Sequence, residues 1–347
     1  MDLTQQDPII AHMNLARGFR GGERQTELLI RGLAARGIRQ RLIARRSEPL
    51  CERLQGTERL EVAGVSTLLA AGRAARGAPL IHVHDGRAIQ AAALSRILYR
   101  NRYVVTRRVD NPIRSNPATH WMYARASALV ALSGAIAREM REFDSRLQPE
   151  VIPSAWNPVA PDPQRTEALR SSYAGAFTVG HIGALDQTHK GQLAIIAAAR
   201  TLPHVLFVLV GSGRDEALFR EAASGLDNVR FTGQVDDVAS HLASFDLFAF
   251  PSLHEGLGSI LLDALRLGVP VIASDVGGIP DIIHDDVNGI LIPPGDSQAL
   301  AAAIDRMAGD SDLRRRYAAA GKATAEGYSP DAMTERYLDL YRRLLTG

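Results

Sequence analysis

Two carboxylates eight residues apart frame the stretch with the most evident chemistry, Glu255-Gly256-Leu257-Gly258-Ser259-Ile260 followed by Asp263. Ser259 and Asp263 are four apart and share one face of any helix that begins at Ser259. Gly256 and Gly258 let the backbone approach a ligand closely, and a helix starting there offers unpaired N–H groups to an anion. A carboxylate, an anion cradle and a second carboxylate in series suit a sugar, a diphosphate and a ribose.

The surrounding pattern supplies the frame for this loop. The apolar run Asp246 to Phe250 reads as a buried strand that stops at Pro251. Residues Ser259 to Leu267 place apolar side chains at 260, 261, 264, 265 and 267, a helical spacing closed by Gly268 and Pro270. A second apolar strand, Val269 to Ala273, runs into Gly277-Gly278. Strand, loop, helix, strand and loop make half of a doubly wound α/β domain.

Pro251-Ser252, Glu255-Gly256, Gly258 and Leu267-Gly268-Val269-Pro270-Val271 together resemble the signature of glycosyltransferase family 4. The resemblance implies a GT-B fold: two Rossmann-like doubly wound domains with a cleft between them and a last helix crossing back to the first domain. It implies a retaining enzyme that uses a nucleotide-diphosphate sugar and needs no metal or other cofactor. The family usually has Glu at both ends of the eight-residue spacing; here the second is Asp263, one methylene shorter.

Carried onto this chain, the resemblance places Glu255 on donor-sugar hydroxyls, Asp263 on the ribose, and Gly256, Leu257, Gly258, Ser259 and Ile260 around the diphosphate. Lys190-Gly191 matches the family's Lys-Gly, with Lys190 on the diphosphate, while the family's arginine just after Gly183 is replaced by Ala184. Gly211 lies in a family-like turn, and Gln234 stands where backbone groups often meet the base. Arg214 is a candidate replacement for the missing arginine. In the first half, Gly21-Gly22 resembles the family's glycine loop. A His-x-His strand end matches His82 and His84, with His84 and Asp85 facing the acceptor. The family's histidine near the donor sugar is replaced by Arg108.

Arginine cannot act as a base at neutral pH, but its planar fork suits carboxylate or phosphate. Arg107, Arg108 and Arg114 are therefore candidates for reading an anionic group, with Arg17 and Arg20 beside the glycine loop. The catalytic set is Glu255, Lys190 and Arg108. A metal on His82 and His84 is disfavoured, because no third His, Cys or carboxylate has a fitting spacing apart from Asp85.

The remaining pattern divides the chain. Strands are predicted at Pro8 to Met13, Gln40 to Ala44, Leu60 to Ala63, Leu80 to Asp85, Tyr103 to Thr106, Leu129 to Leu132 and Val151 onward. They continue at Phe177 to Gly183, Val205 to Val210 and Asn228 to Gly233. The proline-dense stretch 153–163 sets the domain boundary. The divisions are then 1–157 (acceptor domain), 158–328 (donor domain) and 329–347, a last helix from about Pro330 to Leu345. The segment 288–294 reads as a closing turn.

Bulk composition narrows the classes. The 347 residues are 46% hydrophobic and 22% charged, as in a globular protein of two domains. One cysteine, Cys51, rules out an internal disulfide and suits a reducing cytosol. No signal-like segment or apolar run of membrane-spanning length is present, so a cytoplasmic protein is expected. The net charge of +2 hides an asymmetry: residues 1–155 hold 24 Arg and no Lys against 14 acids, a net of +10. That bias suits an anionic glycan or lipid-linked acceptor, as in lipopolysaccharide core or cell-surface polysaccharide assembly, and peripheral contact with an anionic membrane. Nucleic acid is disfavoured because no aromatic-basic interleaving accompanies it. A catalytically silent scaffold and a sugar-nucleotide epimerase are the rival readings.

Overall fold

The computed structural model describes residues 9–346, and the chain divides into two compact units. The first combines residues through Ala155 with Ser329 onward, and the second runs from Trp156 to Tyr328. The expected junction at 157/158 falls two residues later. Trp156 belongs with the second unit because its N–H donates to the Tyr328 carbonyl and its indole N–H to that of Ala325.

The first unit is a seven-stranded parallel sheet with the order β3-β2-β1-β4-β5-β6-β7. The strands are β1 Ile10–Asn14, β2 Gln40–Arg45, β3 Leu60–Val65, β4 Leu80–Val83, β5 Arg102–Arg107, β6 Ala128–Ala131 and β7 Glu150–Val151. Pro8, the expected start of β1, lies outside the described residues. The central strands β1 and β4 are buried throughout because helices cover both faces. On one face lie α1 (Gly21–Ala35) and the last helix, Pro330–Thr346. Met333, Tyr337, Leu338, Leu340 and Tyr341 of that helix pack with Leu29 and Leu33 over Ile10, Leu80, Val104 and Val130. The remaining helices are α2 Pro49–Leu54, α3 Leu68–Ala74, α4 Ala88–Tyr99, α5 Pro117–Ala124 and α6 Gly134–Phe143.

The second unit is a six-stranded parallel sheet with the order β10-β9-β8-β11-β12-β13. Its strands are β8 Phe177–Ile182, β9 Val205–Val210, β10 Val229–Gly233, β11 Leu247–Phe250, β12 Val271–Ser274 and β13 Ile290–Ile292. The segment expected to be only a closing turn contributes β13, paired in parallel with β12 through Ile272, Ala273 and Ser274. Three residues are too few for a periodic signal. Helices α7 Pro163–Ser172, α8 Gln187–Lys190, α9 Gln192–Thr201, α10 Glu216–Ala222, α11 Val238–Ala243 and α12 Ser259–Leu267 precede α13 Ser297–Gly309 and α14 Ser311–Glu326. Val179, Phe207, Leu209, Leu247 and Ile272 form the core with Ile195, Leu300, Ile304 and Tyr317 from the helices.

Each sheet has one point where the winding direction reverses. In the first unit it lies between β1 and β4, in the second between β8 and β11. Loops at the carboxyl ends of such strand pairs diverge and open a crevice suited to ligands.

Candidate active site

In the second unit the loops after β8 and β11 straddle the switch point. The first carries Lys190 and the second Glu255, and their side chains meet with Nζ 2.5 Å from Oε2. Both groups are mostly shielded, with side chains 23% and 17% exposed. Lys190 Nζ also lies 5.1 Å from the Phe250 ring centroid. The two loops are tied together by the His189 carbonyl, which accepts the Leu253 N–H at 2.7 Å. Gly191, which ends α8 at φ +65, must be glycine: a Cβ there would overlap the Pro251 carbonyl.

Glu255 is fixed from the far side as well. Its carbonyl accepts the N–H of Gly278, and Gly277, at φ +59, packs against that same carbonyl. Gly258 caps α12 in the left-handed region at φ +80, so Ser259 and Ile260 open the helix with their amides at the same strand end. Gly211 follows β9 and sits against the Gly183 carbonyl, so Gly211 cannot gain a side chain without displacing backbone. Gln234 follows β10, is exposed, and accepts from the Ser212 hydroxyl at 3.2 Å. Arg214 donates to Asp186 Oδ1 at 2.9 Å and to Thr188 Oγ1 at 2.6 Å. It thus anchors the α8 loop that carries Lys190.

Asp263, expected on the ribose, has a backbone partner in the free protein. Its Oδ1 accepts the Asn157 N–H at 2.6 Å, so this carboxylate secures the start of the second unit. The shorter Asp side chain, on the second turn of α12, suits a backbone partner close to the helix. The partner is 106 residues away in sequence and left no local signal.

In the first unit a cavity of about 330 Å³ opens at the carboxyl ends of β4 and β5. Arg20, Gly22, His84, Asp85, Arg107 and Arg108 line it, together with Glu23, Thr106 and Tyr123. Arg17, Gly21 and Arg114 are exposed and lie outside its lining. Its two acids are committed to the backbone. Glu23 accepts the Arg20 N–H at 2.9 Å, and Asp85 accepts the amides of Leu15, Arg87 and Ala88. Asp85, expected to face the acceptor, is thus a cap for α4 and the β1 exit, and burial pushes its carboxyl above the ordinary range. The cations are less committed: the Nε atoms of Arg107 and Arg108 are buried without hydrogen-bond partners. The cavity wall is therefore biased toward an anion.

Behind Arg108 stands a cluster that sequence spacing missed. His12 of β1 lies in register with His82 of β4, and with His84 they bring ring nitrogens within 4.8 Å of one another. The third histidine thus comes from a neighbouring strand rather than from a nearby position, and His12 in the first predicted strand was the only available clue. The geometry would admit a metal ion, but most of the nitrogens are already hydrogen-bonded. Arg108 can only donate, so His84 Nδ1, 3.3 Å from Arg108 Nη2, accepts. Neutral His84 then donates from Nε2 to His12 Nδ1 at 3.1 Å, leaving the His12 proton on Nε2 beside Gln40. His82 bonds the hydroxyls of Tyr341 at 2.6 Å and Thr106 at 2.7 Å. Burial holds all three imidazoles neutral, lowering His12 to about 3 and the other two well below their ordinary value.

Two parallel doubly wound units, each with polar groups at its switch point, define a GT-B protein. The Anabaena protein HepE, solved with UDP and glucose, superposes with a TM-score of 0.85 at 20% identity, covering 96% of this chain and 99% of that one. Residues 176–310 match the family described as "Glycosyl transferases group 1". The match lies wholly within the second unit, which over those residues is similar to the group 1 glycosyltransferases. The phosphatidyl-myo-inositol mannosyltransferase of Mycobacterium leprae is 32% identical over 49% of this chain and 47% of its own length. The lipopolysaccharide core biosynthesis glycosyltransferase LpsD of Rhizobium meliloti is 31% identical over 64% and 65%. The chain thus spans about half to two thirds of the curated relatives it matches.

Proposed function

We propose that this chain is a retaining glycosyltransferase that moves a sugar from a nucleoside diphosphate to an anionic glycan or lipid-linked acceptor. The observation that carries the reading is the Lys190–Glu255 pair at the β8/β11 switch point, beside the N-terminus of α12. A donor diphosphate entering there would take Lys190 from Glu255. The ammonium and the amides at Ser259 and Ile260 would then meet the charge that develops on the leaving phosphate. Glu255, released, would accept hydroxyls of the donor sugar. The bond from the anomeric carbon to the diphosphate breaks, the acceptor oxygen bonds that carbon on the same face, and the acceptor proton passes to the departing phosphate oxygen.

No carboxylate other than Glu255 is proposed to touch the donor sugar, and Glu255 is assigned to its hydroxyls, which favours this front-face route over a covalent intermediate. No metal cofactor is assigned. The histidine cluster reads as a hydrogen-bonded support for Arg108, which with Arg20 and Arg107 would receive an anionic acceptor. The names of LpsD and the mannosyltransferase support an acceptor among lipopolysaccharide core or related glycolipids. No helix among the described residues is long and apolar enough to cross a membrane.

The test is nucleoside diphosphate release from UDP-, GDP- and ADP-sugars with and without phosphorylated core glycan, in the presence of EDTA. NMR of the product reads the anomeric configuration. Acceptor-dependent release with configuration retained is expected, and Arg108→Gln should raise KM for the phosphorylated acceptor while sparing an uncharged one. Sugar released in altered form without acceptor would establish the epimerase reading instead.

A further inference from the structure

The loop that carries Lys190 is closed at its neck by two buried polar side chains, His181 and Gln192. Strands β8 and β11 pair through Val179–Leu247 and Gly180–Phe248, and the backbone ladder ends there. One residue further on the His181 side chain takes over, with Nδ1 3.0 Å from the Ala249 carbonyl oxygen. Its Nε2 lies 3.3 Å from Nε2 of Gln192, which is also 2.7 Å from the Ala184 carbonyl oxygen. Gln192 opens α9, so its amide reaches from the start of that helix back to the exit of β8. Lys190 stands just before this anchor, with only Gly191 between them.

The two carbonyls can only accept, and this fixes every proton in the network. Ala184 requires Nε2 of Gln192 to face it, and Ala249 requires a proton on His181 Nδ1. Burial holds the imidazole neutral, at about 4, so His181 Nε2 is bare and accepts the second proton of the Gln192 amide. One atom is left out: Gln192 Oε1 is buried without a hydrogen-bond partner among the described residues. A methionine would fill the same space without stranding a polar atom, so packing alone does not account for the amide. The network also adjoins the lysine. A Cβ added at Gly183 would lie 3.4 Å from His181 Nε2 and 3.9 Å from Lys190 Cδ, so ring and lysine stem flank the same point of backbone. The Phe250 ring stands 6.1 Å from the imidazole and 5.1 Å from Lys190 Nζ.

We propose that His181 and Gln192 are positioning residues of the donor site, locking the neck of the loop from Gly183 to Gly191 so that Lys190 is presented to the donor diphosphate. This rests on the donor reading of Lys190 and extends it to a pair that acts through the lysine without touching the ligand. With Ala184 where the family has arginine, Lys190 has no arginine on this loop to share the phosphate charge, so its own placement counts for more. The chain has two lysines, Lys190 and Lys322. Lysine labelled with carbon-13 at the ε-methylene therefore gives one signal for each, and Lys190→Ala assigns them.

Gln192→Met keeps the volume and removes both hydrogen bonds. It should move the Lys190 signal of the free protein and leave that of Lys322 in place. It should also weaken binding of whichever of UDP, GDP and ADP the parent takes by about tenfold, the worth of one hydrogen bond. In a Lys190→Ala background the same change should cost less than about twofold, because the effect runs through the lysine. His181→Asn retains a donor toward Ala249 but offers Gln192 no acceptor; it should move the same signal, and it replaces Gln192→Met if that variant does not fold. An unmoved Lys190 signal would overturn the proposal, as would unchanged nucleotide binding or an equal loss with and without Lys190. Should the parent bind no nucleotide, the donor reading falls on its own account, and the Lys190 signal still decides for or against the tie.

Discussion

Gly277→Ala separates the geometry of Glu255 from the general cost of altering a loop. Gly277 sits at φ +59, and a Cβ added there would overlap the Glu255 carbonyl oxygen and lie 2.9 Å from the carbonyl carbon. Holding an alanine in the left-handed region costs about 1–2 kcal/mol. Relief of the overlap adds a second effect: the Glu255 backbone must retreat by roughly 1 Å, a displacement that in active sites costs on the order of 100-fold in rate. The Gly278 N–H bond to the same carbonyl, 3.1 Å long, resists that retreat. Gly295→Ala is the control, because it has φ +77 but its nearest neighbour to an added Cβ is Leu253 Cδ2 at 3.6 Å. Urea unfolding and donor turnover of both variants are the assays. Both should lose about 1–2 kcal/mol from the left-handed backbone, with a further loss and a collapse of turnover in Gly277→Ala alone. Equal stability losses with donor turnover preserved in both would refute the claim that Gly277 sets the position of Glu255.

Two further outcomes follow from the buried polar groups. His12 and His181, in different units, are held neutral with values of about 3 and 4 against 6.5 for an ordinary histidine. Below pH 6.5 the unfolded chain takes up protons that the folded one refuses, so this stability is complete above pH 6.5 and lost as pH falls toward the folded values. At pH 5 each histidine should cost its unit about 2 kcal/mol. Urea unfolding at pH 7.5 and 5.0 measures the loss, a His181→Asn variant should lack the second unit's share, and undiminished stability at pH 5.0 would contradict it. Asp263→Ala should destabilise the second unit by about 1.5–3 kcal/mol with no nucleotide present, from loss of its charged hydrogen bond to Asn157. An unchanged melting temperature would contradict this structural role for Asp263.

Much of the second unit was legible because its signals are local. Pro251, the glycines at 256 and 258 and the periodic run 259–267 mark strand, loop and helix within twenty residues, and Lys190-Gly191 marks the facing loop. What escaped depends on contacts between distant positions. His12 joins His82 and His84 only because β1 and β4 pair in register. Asp263 finds the Asn157 backbone, and Asp85 turns to the amides of Leu15, Arg87 and Ala88. For a carboxylate at a strand end, a nearby ligand and a nearby helix N-terminus are indistinguishable in sequence. The same limit explains Arg114 and Arg17, whose residue type fitted an anion site but whose loops lie outside the cavity lining.

The central claim is that Lys190 and Glu255 mark a nucleotide-sugar site. The most direct measurement is calorimetric titration of the protein with UDP, GDP, ADP and CMP, repeated on Lys190→Ala. The account predicts that one nucleoside diphosphate binds the parent and that Lys190→Ala weakens it at least tenfold, the order expected for a charge-assisted contact to phosphate. Binding of none of them, or equal binding to parent and variant, would contradict it.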